Sequence, residues 1–535
     1  MPKRRALCVF ARFTPCFATF HTAQAFFPGT VAFMPPQGML TLAAYLPKDW
    51  EIRFVDENVA PVTDDDLEWC DVLLASGMHV QRGRLNELAR LAQERGKPAV
   101  VGGPSVSACP EYYPDVDMLH VGELGDATDQ LIAHLSASAA RPETQLVFRT
   151  EERLPINDFP IPAYHLAQLK AYLVLNVQWS SGCPYRCEFC DIPELYGNKA
   201  RTKSPERLIA ELDAIADQVQ MGGIYFVDDN LIGSKKAAKE LMHHLIAWQK
   251  RTGYRLRLAG EATINLAKDT ELLGLMRDAY FTDMFFGIET PNLEALRHIN
   301  KRHNMTMPIL DAVKVINDHG IELHGGIIFG FDTDTEDTAD QVIDFIRAAN
   351  IPLLAINVLY ALPRTPLHRR LTEEGRLLPT EEVRESNVRF LRPEEEVVES
   401  WRRAVDVLYH PKELFRRYEH NVEHTYPNRL QLPMSRFGIS TDLVWTGIYA
   451  TTRMVVIQGL MAEHRREFWS IAWKLLRQGK LDHLLHLGAM GHHLTSYRED
   501  VLDARVRASN FNHDGMDEGD ARPGLWQRLF GRKAA

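Results

Sequence analysis

The stretch SSGCPYRCEFCDIP, Ser180 to Pro193, places Cys183, Cys187 and Cys190 within eight positions of a chain that has seven cysteines in all. Three thiolates on one loop are typical ligands of zinc or of an iron–sulfur cluster. Structural zinc normally takes four protein ligands, and no fourth cysteine or nearby histidine follows. A [4Fe–4S] cluster held by three cysteines leaves one iron open for a substrate or cosubstrate. Chance clustering of buried small residues explains the run poorly, because a glycine and a proline flank its first cysteine and a predicted strand precedes it.

The composition is that of a soluble globular protein. Hydrophobic residues make up 45% and charged residues 25% of the chain, which is ordinary for such proteins. The net charge of −10 argues against a broad nucleic-acid-binding surface, and seven cysteines do not form a secreted disulfide framework. The N-terminus lacks a signal-peptide pattern, and the longest apolar stretch, residues 351–362, is too short to span a bilayer. A cytoplasmic protein is therefore predicted.

Short apolar runs alternate with helical patterns along the first third of the chain. We interpret five of the runs as strands: RALCVFARF, EIRFVDEN, DVLLASG, KPAVVGG and DMLHVGE. This alternation predicts an α/β domain with a doubly wound, Rossmann-like parallel sheet over residues 1–139. Ligands of such sheets bind at the carboxyl ends of the strands.

Small or polar residues gather at three of these strand ends. The set consists of Ser76, Gly77, Gly102, Gly103, Gly122 and Glu123. Turn chemistry explains each glycine taken singly, because glycine and proline occur in the turns of every βα unit. Three consecutive strand ends of this kind nevertheless favour a ligand site.

A second βα series follows a small, polar and proline-rich linker, which we place at residues 140–165. Six segments within residues 166–380 have strand character, from AYLVLNVQWS, directly before the cysteines, to LLAINVLYALP. This alternation of strands and helices predicts a partial or full α/β barrel, in which functional residues lie at the C-terminal ends of the strands. The cysteine run follows the first of these strands.

The last third of the chain changes to helical periodicity. Residues 381–505 are predicted to form a helical domain, and residues 506–535 a disordered tail that ends in a short basic amphipathic piece with Trp526, Leu529 and Phe530. Apolar side chains at helical spacing are expected to pack the helices onto the barrel, with contact at a membrane surface as the alternative. They are Trp445, Tyr449, Trp469, Trp473 and Leu476.

Histidines are frequent in the same third. Because their spacing matches no metal-ligand pattern, we interpret them as exposed residues on helix surfaces rather than as a metal site. They are His410, His420, His424, His483, His486, His492 and His493.

The cysteine run resembles the radical S-adenosylmethionine (SAM) superfamily. Cys183-x3-Cys187-x2-Cys190 after a first barrel strand matches that motif, and Phe189 fits the aromatic residue found before the last cysteine. The resemblance implies that the cysteines hold a [4Fe–4S] cluster and that SAM chelates the fourth iron through its amino and carboxylate groups.

Other segments fall where this superfamily has its SAM contacts. FVDDN contains Asp228 and Asp229, which would receive the SAM ammonium or line the active site, and GIET contains Glu289, which resembles a ribose-contacting acid. GGIIFGF, with Gly325 and Gly326, resembles the glycine-rich fifth strand near the adenine. Singly, such residues are explained by helix capping, solvated loops or strand packing.

The N-terminal sheet before the barrel resembles the cobalamin-binding class of this superfamily, as do the segments MPPQGMLTLAAYLP and FPIPAYHL. The resemblance makes the six strand-end residues named above cobalamin-binding candidates. The Asp-x-His-x-x-Gly motif of histidine-ligated cobalamin proteins is absent, since residues 56–60 contain no histidine. Either the cobalt has no protein ligand on its lower face, or another residue such as His79 provides one.

The segments CVFARFTPCFATFHTA, VAFMPPQGMLTLAAYLP and IRFVDENVAP, together with the helical last third, resemble most the hopanoid C-2 methylases. This resemblance implies methylation of an unactivated ring carbon of a polycyclic lipid, with cobalamin as methyl carrier and an external electron donor such as flavodoxin or ferredoxin. It also implies peripheral contact with the inner membrane, where the lipid lies. No side chain is assigned as catalytic, because cofactors supply radical chemistry.

Two other functions stay open at this point. One is a different radical SAM reaction, either another methylation, a cyclisation or a methylthiolation. Methylthiolation would need a second cluster, and the dispersed Cys8, Cys16, Cys70 and Cys109 offer no convincing site for one. The other is a non-catalytic iron–sulfur or cobalamin-binding protein, against which an intact three-cysteine motif argues.

Overall fold

A computed structural model of the protein describes residues 3–379, 385–432 and 441–509. The basic amphipathic end of the predicted tail, with Trp526, Leu529 and Phe530, lies outside the described residues. No helix in the described ranges is both long enough and apolar enough to cross a membrane.

The first sheet has six parallel strands in the order β2-β1-β3-β4-β5-β6. The strands are β1 (Arg5–Phe10), β2 (Glu51–Asp56), β3 (Val72–Ser76), β4 (Ala99–Gly102), β5 (Met118–Val121) and β6 (Leu146–Arg149). The helices are α1 (His21–Gln24), α2 (Gln37–Tyr45), α3 (Asp64–Trp69), α4 (Arg82–Glu94), α5 (Pro104–Ala108) and α6 (Asp126–Ala137). The predicted doubly wound sheet is confirmed, and its last strand lies within the segment predicted to be a linker.

The strand order of this sheet changes direction between β1 and β3. Strand β1 pairs with β2 on one side and with β3 on the other, so the chain winds outward in both directions from this point. Ligands of open α/β sheets bind in the crevice at such a switch point. Ser76 ends β3 and therefore lies at the mouth of the crevice.

The second sheet is an open barrel of six parallel strands in the order β14-β13-β12-β11-β10-β7. The strands are β7 (Leu175–Val177), β10 (Gly222–Phe226), β11 (Leu256–Ala262), β12 (Phe281–Glu289), β13 (Glu322–Phe329) and β14 (Leu354–Val358). A short antiparallel ribbon follows β7 and consists of β8 (Ser180–Ser181) and β9 (Arg201–Thr202). These elements confirm the six predicted strands and the partial barrel.

Helices cover the outer face of the barrel and make up most of the described C-terminal third. The barrel helices are α7 (Ile192–Leu195), α8 (Pro205–Ala216), α9 (Lys235–Thr252), α10 (Thr270–Asp278), α11 (Leu293–His298), α12 (Ile309–Asp318), α13 (Thr338–Ala349) and α14 (Pro366–Glu373). The C-terminal helices are α15 (Glu394–Leu408), α16 (Pro411–His424), α17 (Thr441–Met454), a π-helical segment (Val455–Met461), α18 (Arg465–Arg477) and α19 (Leu481–Leu502). The helical last third is thereby confirmed.

One large apolar core joins the barrel, the C-terminal helices and a short N-terminal segment, whereas two smaller clusters cover the faces of the first sheet. Phe17 and Phe26 belong to the large core, although they precede the first sheet's second strand. Nε2–H of His493 on α19 donates a hydrogen bond to the Phe17 carbonyl (2.9 Å), and Nδ1 accepts one from Thr22 Oγ1 (2.9 Å). Helix α19 therefore fixes residues 17–24 against the barrel.

Candidate functional site

The cysteine loop leaves the carboxyl end of β7 and is held by backbone contacts on both sides. Cys183 N–H donates to the Gly197 carbonyl (3.2 Å), and Glu188 N–H donates to the Ile299 carbonyl (3.0 Å). Gly182 has a φ of +88°, and a Cβ at this position would lie 2.6 Å from the Lys199 carbonyl oxygen. Only glycine fits this turn, which fixes where the first cysteine projects.

The three cysteines on this loop have the chemistry that an iron–sulfur cluster needs. Cys187 is buried, while Cys183 and Cys190 are partly exposed. Burial raises the pKa of the Cys187 thiol to about 11, so a metal has to displace a proton there. Three thiols on one loop suit a [4Fe–4S] cluster that keeps one iron open.

The segment after β10 fixes the backbone that leads into the cysteine loop. Asp228 is fully buried and accepts backbone hydrogen bonds from Trp179 (3.2 Å) and Ser180. Asp229 accepts the Gly182 N–H (2.7 Å). Burial raises the pKa of Asp228 to about 7 and that of Asp229 to about 6. Both carboxylates therefore position the loop, and their predicted contact with SAM stays a prediction.

A buried ion pair lies at the end of β12. Glu289 has a φ of +66° and follows a register shift in the strand, which re-aims its side chain. Its Oε1 lies 2.5 Å from Lys301 Nζ, and both side chains are under 10% exposed. Burial opposes the charge on Lys301, but the Glu289 carboxylate raises the pKa of the amine. Lys301 Nζ also lies 5.5 Å from the centre of the Phe189 ring, so the pair borders the cysteine loop.

The two predicted glycines of β13 face opposite sides of the sheet. A Cβ on Gly326 would meet the Phe285 ring at 3.1 Å and Glu289 Oε2 at 3.6 Å, inside the barrel. A Cβ on Gly325 would instead meet Leu354 and Ile288 in the apolar core. Gly326 thus keeps the interior surface open beside Glu289, whereas Gly325 allows close packing of the helix-covered face.

The predicted cobalamin-binding residues lie along the carboxyl edge of the first sheet. Gly103 has a φ of +94°, and a Cβ there would collide with the Ser76 side chain and come within 3.2 Å of the Gly77 carbonyl. Gly102 ends β4, and Gly122 follows β5 and donates its N–H to Ser107 Oγ (2.9 Å). Larger side chains at these glycines would fill the space along this edge. The glycines therefore leave room for a large flat ligand.

Glu123 connects the two sheets. Its Oε1 accepts a hydrogen bond from Ser181 Oγ (3.0 Å), and its Oε2 lies 2.5 Å from Arg201 Nη2 and 3.3 Å from Arg153 Nη1. Ser181 precedes the cysteine loop by two residues. The carboxyl end of β5 is therefore joined to the carboxyl end of β7, and the predicted cobalamin edge faces the cysteines.

His79 lies at the same edge, just after β3. Its Nδ1 is 3.1 Å from Ser105 Oγ, and its ring packs edge-on against Tyr112. Burial lowers the pKa of His79 to about 4, so the imidazole is neutral at pH 7. Both alternatives for the lower face of the cobalt stay predictions.

Sequence reasoning missed two groups of residues in the barrel interior. Tyr225 donates a hydrogen bond to Glu261 Oε1 (3.1 Å), and burial raises the pKa of Glu261 to about 7. Lys301 was missed as well. The alternation of strand β11, in which Arg257, Ala259 and Glu261 share a face, was the available signal for Glu261, but nothing in the sequence marks Lys301.

Two expectations for the last third are wrong in part. Trp445 is 65% and Trp473 is 56% exposed, and Tyr449 and Leu476 are also exposed, so only Trp469 packs in the expected way. The histidines are not uniformly surface residues, because His493 is 1% exposed and the His486 side chain is 16% exposed. The two histidines lie on α19, several of whose residues belong to the core shared with the barrel.

Comparison with known families agrees with this geometry. A family model described as the radical SAM superfamily matches residues 177–346, and one described as a domain of unknown function (DUF4070) matches residues 365–506. The hopanoid C-2 methylase of Rhodopseudomonas palustris (strain TIE-1) is 48% identical over 509 residues, which cover 95% of this chain and 96% of the relative.

Solved structures of cobalamin-dependent radical SAM enzymes have a similar fold. The enzyme OxsB, solved with aqua-cobalamin and SAM, matches with a TM-score of 0.58 at 14% identity and covers 95% of this chain and 82% of its own. The methyltransferase TsrM from Kitasatospora setae, solved with cobalamin and a [4Fe–4S] cluster, matches with a TM-score of 0.54 at 16% identity over 71% of this chain and 79% of its own. At these identities the likeness concerns the fold.

Proposed function

Because the chain belongs to the family of the hopanoid C-2 methylase within the radical SAM superfamily, we propose that it is a cobalamin-dependent radical SAM methyltransferase that adds a methyl group to C-2 of a hopanoid. The identity of 48% over 95% of the chain carries this proposal. The joint between Glu123 and Ser181 supports it, because the reaction needs a cobalamin domain and a cluster loop that face one cavity.

The cofactors are a [4Fe–4S] cluster, SAM and cobalamin. Cys183, Cys187 and Cys190 would hold the cluster, and the glycine-lined edge near Ser76 and Gly103 would hold the corrin. When bound and reduced by an external donor such as flavodoxin or ferredoxin, these groups supply a 5′-deoxyadenosyl radical from one SAM and a methyl group from a second.

The chain's own residues position these groups and exclude water. Asp228 and Asp229 fix the backbone from Trp179 to Gly182, and thereby the direction of Cys183. In this proposal the Glu289–Lys301 pair contacts the SAM nucleoside beside Phe189. A saturated ring carbon has no acidic proton, so no general base is needed, and the Tyr225–Glu261 pair serves as a polar wall of the cavity.

The reaction is tested in a host that makes hopanoids and lacks its own C-2 methylase. Expression of the chain is expected to add one methyl to the hopanoid A-ring, and SAM with a labelled methyl group should pass its label to that position. The outcome is read by mass spectrometry of the lipid extract. If the purified enzyme cleaves SAM but the extract holds no methylated hopanoid, the substrate is wrong and only the reaction class stands.

We further propose that the enzyme meets its lipid substrate at the membrane through an aromatic face. This face is formed by α17, the π-helical segment and α18, and its exposed members are Trp445, Ile448, Tyr449, Leu460, Met461, Trp473 and Leu476. Soluble proteins rarely expose so many large apolar side chains in one region without a partner. Arg453 lies 5.5 Å from the Tyr449 ring, and Arg477 follows Leu476, so cations for anionic headgroups are close by.

Changing Trp445 and Trp473 together to serine is expected to weaken binding to anionic phospholipid vesicles about tenfold or more, because interfacial binding scales with the apolar area that inserts. Co-sedimentation with vesicles measures the change. Leu391, which is 67% exposed elsewhere, provides the control, and Leu391→Ser should bind as the unchanged protein does. Equal binding by the double variant would show that the face is not the membrane contact.

A further inference from the structure

A second cluster of ligand-type side chains lies at the opposite end of the barrel from the cysteines. Asp283 on β12 is in register with Glu322 on β13, and His324 follows on the same face of β13. His486 on α19 completes the group. Asp283 and Glu289 are six residues apart on one strand, which separates this cluster from the cysteine end by about 20 Å.

We infer that Asp283, Glu322, His324 and His486 bind one divalent transition-metal ion, for which Zn²⁺ is the best fit. Each residue offers one ligand atom, and the four atoms all lie within 4.8 Å of one another. Glu322 Oε1 lies 3.0 Å from His324 Nε2 and 3.8 Å from His486 Nε2. Bonds of about 2.0–2.2 Å to a tetrahedral ion place its ligands about 3.3–3.6 Å apart, so the ligand atoms need only small shifts to reach a shared ion.

An unpartnered nitrogen supports a ligand at this place. His486 Nε2 is buried from solvent and has no hydrogen-bond partner within the described ranges. It lies 3.8 Å from Glu322 Oε1, which is beyond hydrogen-bonding distance. A buried polar atom without a partner costs free energy, and a metal ion shared with Glu322 would satisfy it.

Neighbouring groups hold both carboxylates as metal sites require. Tyr426 OH donates to Glu322 Oε2 (2.5 Å), and Thr282 Oγ1 donates to Asp283 Oδ2 (2.6 Å). Each carboxylate therefore has one oxygen fixed by an outer partner, as is usual for metal ligands. Arg429 lies 3.4 Å from Asp283 Oδ1, but it also donates to the Gly320 and Thr282 carbonyls and stacks on the Tyr426 ring. These contacts offset the positive charge of Arg429, so the guanidinium can remain beside a bound metal ion.

The donor set indicates zinc. Two imidazoles and two carboxylates give four protein ligands in a largely buried site, and four is the coordination number of structural zinc. The two carboxylates offset the charge of the ion. Because three ligands belong to the barrel and the fourth to α19, the ion would fasten the C-terminal helix to the barrel floor.

The experiment uses the reconstituted full-length holoenzyme, dialysed anaerobically against a chelator, incubated with Zn²⁺ and desalted. Inductively coupled plasma mass spectrometry should find about one zinc per chain, and zinc should raise the melting temperature. His486→Gln and His324→Gln are each expected to lower zinc affinity at least about tenfold and to abolish the thermal shift. His492→Gln changes a histidine on the same helix outside the cluster and should retain zinc.

Two results would overturn the site. If the unchanged enzyme retains no zinc above the desalting blank and shows no thermal shift, the four residues with Arg429 form a buried ion-pair network only. Alternatively, both histidine variants could retain zinc as well as the control does, which would place the ion elsewhere. If a histidine variant does not fold, Asp283→Asn, which keeps the side-chain shape, takes its place with the same expected loss.

Discussion

Changing Cys183, Cys187 and Cys190 together to alanine is expected to remove the cluster and abolish methylation. Reconstituted protein should contain about four irons and four sulfides per chain with broad visible absorption, and the triple variant should contain none. The physical reason is that no other thiol can replace these ligands, because Cys8, Cys16, Cys70 and Cys109 are buried in the N-terminal part of the chain. Iron and sulfide analysis with visible spectroscopy measures the change.

Cys70→Ala provides the control for this prediction. Cys70 is buried at the C-terminal end of α3, so its variant loses a thiol but no cluster ligand and should reconstitute fully. Retention of iron and sulfide in the triple variant would reject the assignment of the cysteine loop, whatever the lipid analysis shows.

Replacing Lys301 by methionine is expected to destabilise the enzyme by about 3–5 kcal/mol, because it leaves the buried Glu289 carboxylate without its partner. The loss arises from an uncompensated charge, so the double variant Glu289→Gln/Lys301→Met should recover much of it. Thermal and denaturant unfolding of the reconstituted enzyme measure the difference.

An exposed pair of equal length gives the matched control for Lys301. Lys314 Nζ lies 2.5 Å from Asp318 Oδ2 with side chains 74% and 51% exposed, and such surface pairs contribute about 0–1 kcal/mol. Lys314→Met should therefore change stability little. Equal losses in Lys301→Met and Lys314→Met would mean that the Glu289 carboxylate finds other partners and that the pair does not hold the end of β12.

The parts of the site that are contiguous in sequence could be predicted from it. The cysteine run and the strand ends after β3, β4 and β5 are local patterns, because the carboxyl edges of parallel strands follow directly from strand order. Glu123 was placed at the correct edge in this way. Its contact with Arg201 and Ser181 was not foreseen, because the relative position of two sheets leaves no periodic signal in either.

The remainder depends on residues that are brought together from distant segments. Asp283, Glu322 and His324 join His486 from 160 or more positions away, so no ligand spacing is visible in the chain. Exposure of the aromatic face was only the alternative expectation, for a different reason. Helical periodicity shows that Trp445 and Tyr449 lie on the same side of a helix, but burial on that side depends on what the fold places there.

The contact between α19 and residues 17–24 has a consequence for synthesis of the protein on the ribosome. Phe17 and His493 are 476 positions apart, and at usual elongation rates the nascent segment waits on the order of a minute for its partner. The first sheet can form in that time from residues 5–149, but Phe17 and Phe26 lack their contacts with Tyr497 and His492 until α19 has left the exit tunnel. During this interval the nascent chain exposes a phenylalanine-rich segment that a chaperone can bind and that a neighbouring nascent chain can capture.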